Sequence, residues 1–262
     1  MKNLNTLTAI GALLLLLPAL LCGCAGSASP DTAAPADAGK PRKLVLLNHQ
    51  DQLKPVEGVE GAMSWRDPKV DWKQYNAVLI ERMKVYVKED SKEKGIDPTD
   101  LKMLTDYFHE ALKKELAPVA KMVDKGGPGV LGLRIAITDL MPTKAALSIA
   151  GTLTPFAFAA EAASGPASGR PAGSTPYLGE CGIEVQFLDG KTGQVVAEFT
   201  DRKIGKKYDI DASAGGVDAA KKWADGYFDS FTTWNYAKGA FDLWPKLFRQ
   251  RFEELRGTPA GK

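Results

Sequence analysis

Histidine is scarce in this chain, two among 262 residues, and cysteine is nearly so, with three. Metal centres need several convergent His, Cys, Asp or Glu ligands, and neither His49 nor His109 has a partner at metal-ligand spacing. Charge of one sign is also lacking. With 34 basic and 32 acidic side chains the net charge is +2, which excludes the basic face of a nucleic-acid binder. No G-x-S-x-G elbow supports a serine hydrolase. Gly126-Gly127-Pro128-Gly129 lacks a Gly-Lys-Ser/Thr ending and leads into a strand. Phosphate is held by amides at a helix N-terminus, so this stretch reads as a turn. Nothing in the pattern implies a cofactor or a resident metal. What is present is ordinary: 44% hydrophobic and 25% charged residues, the balance of a soluble globular protein.

The N-terminus departs from that balance. Lys2 precedes an uncharged run over residues 9–21, too short for a relaxed span of ~20 residues but suited to the apolar region of a secretory signal. Leu21-Cys22-Gly23-Cys24 follows. It resembles the lipobox of bacterial lipoproteins, with a large aliphatic three before the cysteine and a small residue just before it. Cys22 would put Leu21 at the cleavage position, so only Cys24 meets both conditions, although Cys22 stands where Ala or Ser is commoner. The resemblance implies that residues 1–23 are a signal peptide and that Cys24 carries palmitate-type acylation. The membrane is then a partner through that anchor. Residue 25 is Ala rather than Asp, which by lipoprotein sorting habit implies the outer membrane, with the domain facing the periplasm.

Residues 24–41 are mostly Ala, Ser, Pro and Asp and cannot bury enough surface to offset their ordering entropy. They read as a flexible tether with a reach of ~23 Å. Cys181 is then the one thiol left in the mature chain, and an exported protein with a single leftover cysteine has no internal disulfide. It reads as a small packed hydrophobe. Its fold must be held by its core.

Residues 42–256 read as a single α+β domain, and 257–262 as a disordered tail. Leu44 to Leu47 is a short candidate strand. Residues 77–87 predict a strand bent near Met83, where the alternation changes phase. Asp97 as N-cap and Pro98 at the first helical position open a helix to Leu116. Met122-Val123 is a further short candidate strand. Leu131, Leu133, Ile135 and Ile137 alternate with Gly132, Arg134, Ala136 and Thr138, predicting a half-buried strand over 130–140. Two more strands, 182–188 and 195–203, flank a turn-forming Asp189-Gly190-Lys191-Thr192-Gly193. Helices are expected over 217–228 and 237–255, the second kinked or restarted at Pro245. Helices separated by a run of strands favour a mostly antiparallel sheet with helices on one face.

The blocks RDPKVDWKQYNAVLIE (66–81), DPTDLKMLTDYFHEALKKEL (97–116), GPGVLGLRIAITDL (127–140), IEVQFLDGKTGQVVAEFTDR (183–202) and AFDLWPKLFRQRFEEL (240–255) resemble a bacterial lipoprotein family catalogued as domain of unknown function 3313. The likeness runs from about residue 44 to 255. It implies a lipid-anchored, extracytoplasmic α+β domain and brings no catalytic set. Pro245 and the long loop at 164–176 depart from it.

Two stretches keep functional content. Residues 145–160, including Phe156 and Phe158, carry no charge; they are either an exposed patch suited to a partner or a segment packed under the sheet. The aromatics around Tyr227, Phe231 and Trp234 are either an interaction surface, for another envelope protein, or core. The expected role is a non-enzymatic binding or assembly module. An alternative is an enzyme on an envelope polymer, using a carboxylate pair drawn from Glu81, Asp139 and Glu184. A further alternative is a carrier of an apolar ligand in a cavity of ~300 Å³ or more beneath residues 145–160.

Overall fold

The computed structural model describes residues 44–86, 96–144, 164, 170–171, 174–175, 178–205 and 233–257. The lipobox Leu21–Cys24, the tether, the helix expected over 217–228, Phe156, Phe158, Tyr227 and Phe231 lie outside the described residues.

The described elements are β1 (Lys54–Pro55), β2 (Met63–Arg66), β3 (Ala77–Ile80), β4 (Lys84–Val85), α1 (Pro98–Leu116), β5 (Lys121–Met122), β6 (Val130–Met141), β7 (Glu180–Asp189), β8 (Val195–Ile204) and α2 (Asn235–Arg256). One sheet runs β1-β2-β8-β7-β6-β3-β5, with β4 also on β6. The pairs β1–β2, β2–β8, β7–β8 and β6–β7 are antiparallel, while β3 and β4 run parallel to β6 and β3 parallel to β5. The sheet is therefore mixed: an antiparallel meander joined to a parallel β3–α1–β6 unit, whose helix supplies the crossover that parallel pairing needs.

Local chemistry explains the elements. Asp97 caps α1 by accepting the Thr99 amide at 2.7 Å, which holds its carboxyl below the usual carboxylate range, and Pro98 fills a position that needs no N–H donor. Leu104, Phe108, Leu112 and Leu116 are the buried stripe of that helix. Gly257, at φ 72°, closes α2 with amide bonds to Glu253 and Glu254 carbonyls. The bend expected near Met83 is a break between β3 and β4. Ile80 pairs Leu133 and Lys84 pairs Ala136, so one extra residue is accommodated on that strand.

The core lies between the sheet and the two helices. Leu131, Leu133, Ile135 and Ile137 of β6 face Phe187, Val185 and Ile183 of β7 and Phe199 of β8 on that side. Phe108 stacks on Phe241 at 4.5 Å, and Phe248 sits edge-on to both Phe187 and Phe199. Each fully buried ring of this kind contributes roughly 1.5–3 kcal/mol through its apolar area.

Three expectations are corrected. Leu44 to Leu47 is not a strand; the amides of Val45 and Leu46 are taken by the Glu184 side chain. Helix α2 does not restart at Pro245 but runs continuously through it. The proline removes one backbone bond, and burial of Phe241, Trp244 and Phe248 on either side holds both halves of the helix against the core. Trp234 is not an exposed interaction residue. It is 8% exposed, and its indole N–H donates to Asp100 at 3.0 Å, tying the start of α2 to the first turn of α1.

Candidate functional site: an apolar cleft and a strapped sheet face

On its helix side the sheet carries a half-open cleft of about 730 Å³. Its floor is Leu131, Leu133, Phe187, Ala197 and Phe199 from β6, β7 and β8. The C-terminal half of α2 forms one wall through Leu247, Phe248, Phe252 and Leu255. The β1–β2 hairpin closes the other side with Lys54, Val56, Ser64 and Arg66, and Trp72 stands at one end. Registers explain why the hairpin faces inward: Arg66 lies opposite Ala197, Ser64 opposite Phe199, and Lys54 opposite Ser64. Arg251 spans the rim, with Nη1 2.8 Å from Glu254 Oε2 and Nη2 donating to the Glu57 carbonyl at 2.9 Å. Volume, apolar walls and a few polar rim groups are the attributes of a small-molecule pocket.

The opposite face is polar yet covered. Glu184 and Glu198, both 0% exposed, point away from the helices. Glu184 accepts the amides of Val45 at 2.9 Å and Leu46 at 2.7 Å. Glu198 accepts those of Asn48 at 2.7 Å and His49 at 2.8 Å, and also Gln186 Nε2 at 3.0 Å. Residues 45–49 thus form a strap across β7 and β8. The His49 ring stacks on Trp65 at 3.5 Å, and Leu47 is buried beneath the strap. Near the far end of the strands Glu180 is enclosed by Arg170 at 3.2 Å and Arg202 at 2.8 Å. Burying a carboxylate costs several kcal/mol unless it is hydrogen-bonded; these glutamates are.

The carboxylates proposed for catalysis are not gathered in the cleft. Glu81 is held bidentately by Arg134 at 2.8 and 3.1 Å, whose guanidinium is raised above its ordinary range by that hydrogen bond. Asp139 is buried at a β-bulge with a positive φ of 52° and accepts the Thr138 hydroxyl at 3.0 Å. Glu184 holds the strap. Cys181 is buried, its Sγ 3.8 Å from the Gly182 carbonyl. Among the described residues no group of three His, Cys, Asp or Glu side chains could hold a metal ion, and no helix is long and apolar enough to cross a membrane.

Sequence reasoning missed Glu198 and Glu180 as buried acids. For Glu198 the signal was there: it stands inside a strand between Ala197 and Phe199, on the face the alternation assigns to solvent, whereas Glu180 opens β7 and nothing local marks it. It also missed the cleft, because the hairpin residues 54–66 and the helix residues 247–255 meet only in three dimensions.

The fold and cleft define an α+β sheet protein with a candidate small-molecule pocket. By family the chain is one of the proteins of unknown function DUF3313, whose model matches residues 45–231. The match begins at the strap and ends before α2, so the 240–255 block lies beyond it. No curated protein matches the chain by sequence. Among solved structures, the PelC L103M dodecamer from Paraburkholderia phytofirmans shares 8% identity at TM-score 0.33, over 76% of this chain and 98% of that one. A DUF4136 family protein from Bacteroides thetaiotaomicron shares 13% at 0.26, over 65% and 96%. A DUF330 protein from Xanthomonas campestris shares 12% at 0.31, over 73% and 91%. At these values the likenesses carry no argument about function.

Proposed function

We propose that this chain is a lipid-anchored cell-envelope protein that binds a small apolar guest and performs no covalent chemistry on it. The observation that carries the binding reading is the cleft of about 730 Å³ between α2, the sheet and the β1–β2 hairpin. The site expected beneath residues 145–160 lies outside the described residues. The anchoring reading rests on Leu21-Cys22-Gly23-Cys24, and Ala25 in place of Asp supports the outer membrane, with the domain facing the periplasm. Acyl chains on Cys24, at ~0.8 kcal/mol per buried methylene, hold the chain at the leaflet. The strap of residues 45–49 is held on the sheet face opposite the cleft.

The test uses the full chain in bacterial membranes. An apolar fluorescent probe is expected to bind saturably to wild type and not to Ser64→Trp, where an indole on the helix-side face obstructs the cleft. Cys24→Ala is expected to leave the membrane fraction. Probe binding that is unsaturable, or equal in Ser64→Trp, refutes the binding reading; Cys24→Ala remaining acylated refutes the anchor.

A further inference from the structure

The chemistry at the rim of the cleft narrows its guest. Lys54 and Arg66 are exposed and project to the helix side, in register with Ser64 and Ala197. Among the described residues neither forms an ion pair. The third cation, Arg251, is engaged by Glu254 and the Glu57 carbonyl, and Glu254 is held below the usual carboxylate range by Gln250 and Arg251. Glu57 leaves one acidic side chain at the rim. Glu198 also borders the cleft, but its carboxylate is turned to the opposite face, where it takes the strap amides. The rim therefore offers two available cations and the Ser64 hydroxyl above a floor with Phe187 and Phe199 and a wall with Phe248 and Phe252.

Resting on the reading of the cleft as a binding site, we infer that its guest is a single-chain anionic amphiphile. The chain lies along the aromatic floor, and the anionic head sits between Lys54, Ser64 and Arg66. Positive charge at the mouth of an apolar slot is complementary to that combination and to no simpler one. A free inorganic anion would leave the apolar walls unused, and a neutral hydrocarbon would leave both cations unused. A volume of about 730 Å³ falls within the ~300–1,000 Å³ that takes one drug-sized molecule.

The experiment places the full chain in nanodiscs of uncharged lipid. Its probes are laurate carrying a diazirine near the methyl end, the uncharged glycerol ester of the same acid, and unlabelled decanoate as competitor. Photo-adducts mapped by mass spectrometry are expected in residues 247–255 for labelled laurate. Decanoate competes more weakly than laurate, by roughly 2–4-fold for each methylene lost. Lys54→Gln with Arg66→Gln weakens laurate about tenfold and leaves the ester unchanged. If wild type takes ester and acid equally and the double variant changes neither, the head-group inference falls while the cleft remains a binding site. If neither probe labels 247–255 above the level in Ser64→Trp, in wild type or in Cys24→Ala, both fall. If the cleft is closed to both probes in wild type and open in Cys24→Ala, its occupant is the protein's own acyl chain, and the inference of a free amphiphile is overturned.

Discussion

Replacing Glu184 and Glu198 by alanine tests how the tether is fixed to the body of the protein. Four backbone amides, at Val45, Leu46, Asn48 and His49, donate to these carboxylates at 2.7–2.9 Å. Hydrogen bonds to a charged acceptor are worth about 1.5–3 kcal/mol each, so the four give about 6–12 kcal/mol. Burial of Leu47 adds about 1.5–3 kcal/mol. Fixing the backbone of residues 45–49 costs about 1–2 kcal/mol per residue, or about 5–10 kcal/mol. The strap is closed by only a few kcal/mol. Losing either glutamate removes about 3–6 kcal/mol and opens it, while the sheet beneath keeps its own ladder. Hydrogen exchange on the full chain should show amides 45–49 exchanging freely in each single variant, with those of β6, β7 and β8 still protected. Retained protection of 45–49 in the double variant would refute the reasoning; collapse of protection throughout would show that the carboxylates hold the sheet and not a strap.

Other consequences are read by thermal or chemical unfolding. The Tyr75 hydroxyl donates to Asp189 at 3.1 Å. Burial first, then that bond, pushes the phenol well above its usual range. Tyr75 stabilises the fold fully below the ordinary phenol value of ~10, and that contribution is lost as pH rises above it. For Asp189 burial works upward, but hydrogen bonds from Thr192, Tyr75 and Lys191 outweigh it and lower the carboxyl. Its contribution is present above the ordinary value of ~3.9 and is lost as pH falls below that; Tyr75→Phe should flatten the alkaline limb, and an unchanged alkaline midpoint would count against the pair. Phe248→Ala empties the space between Phe187 and Phe199 and should cost about 3–5 kcal/mol, with a loss under 1 kcal/mol contradicting its place in the core. Gly190→Ala places a Cβ 2.7 Å from the Val130 carbonyl oxygen, so the β6–β7 end must shift, at about 1–3 kcal/mol. A neutral result there would mean the turn is looser than described.

Much of the fold is legible in residue patterns because it is decided locally. Asp97-Pro98 starts α1, and the change of phase near Met83 marks the β3–β4 break. The Leu131–Ile137 alternation separates the two faces of β6. What escapes the pattern is decided at a distance. Leu44 to Leu47 has the composition of a strand, yet the Glu184 carboxylate, more than a hundred positions along the chain, captures the amides of Val45 and Leu46. Pro245 is a helix breaker by itself, but Phe241, Trp244 and Phe248 are packed on both sides of it. Trp234 looks like an interface aromatic until Asp100 supplies a partner for its indole. The cleft was half visible: the apolar stripe of α2 is plain in the sequence, and nothing local says that Lys54, Ser64 and Arg66 will face it.

The most direct measurement is the intact mass of the full chain released from bacterial membranes under native conditions, without added ligand, compared with Ser64→Trp. Wild type should begin at an acylated Cys24 and carry one further non-covalent molecule that the tryptophan variant lacks. An unacylated chain, or a wild type and a variant of equal guest content, would contradict the account.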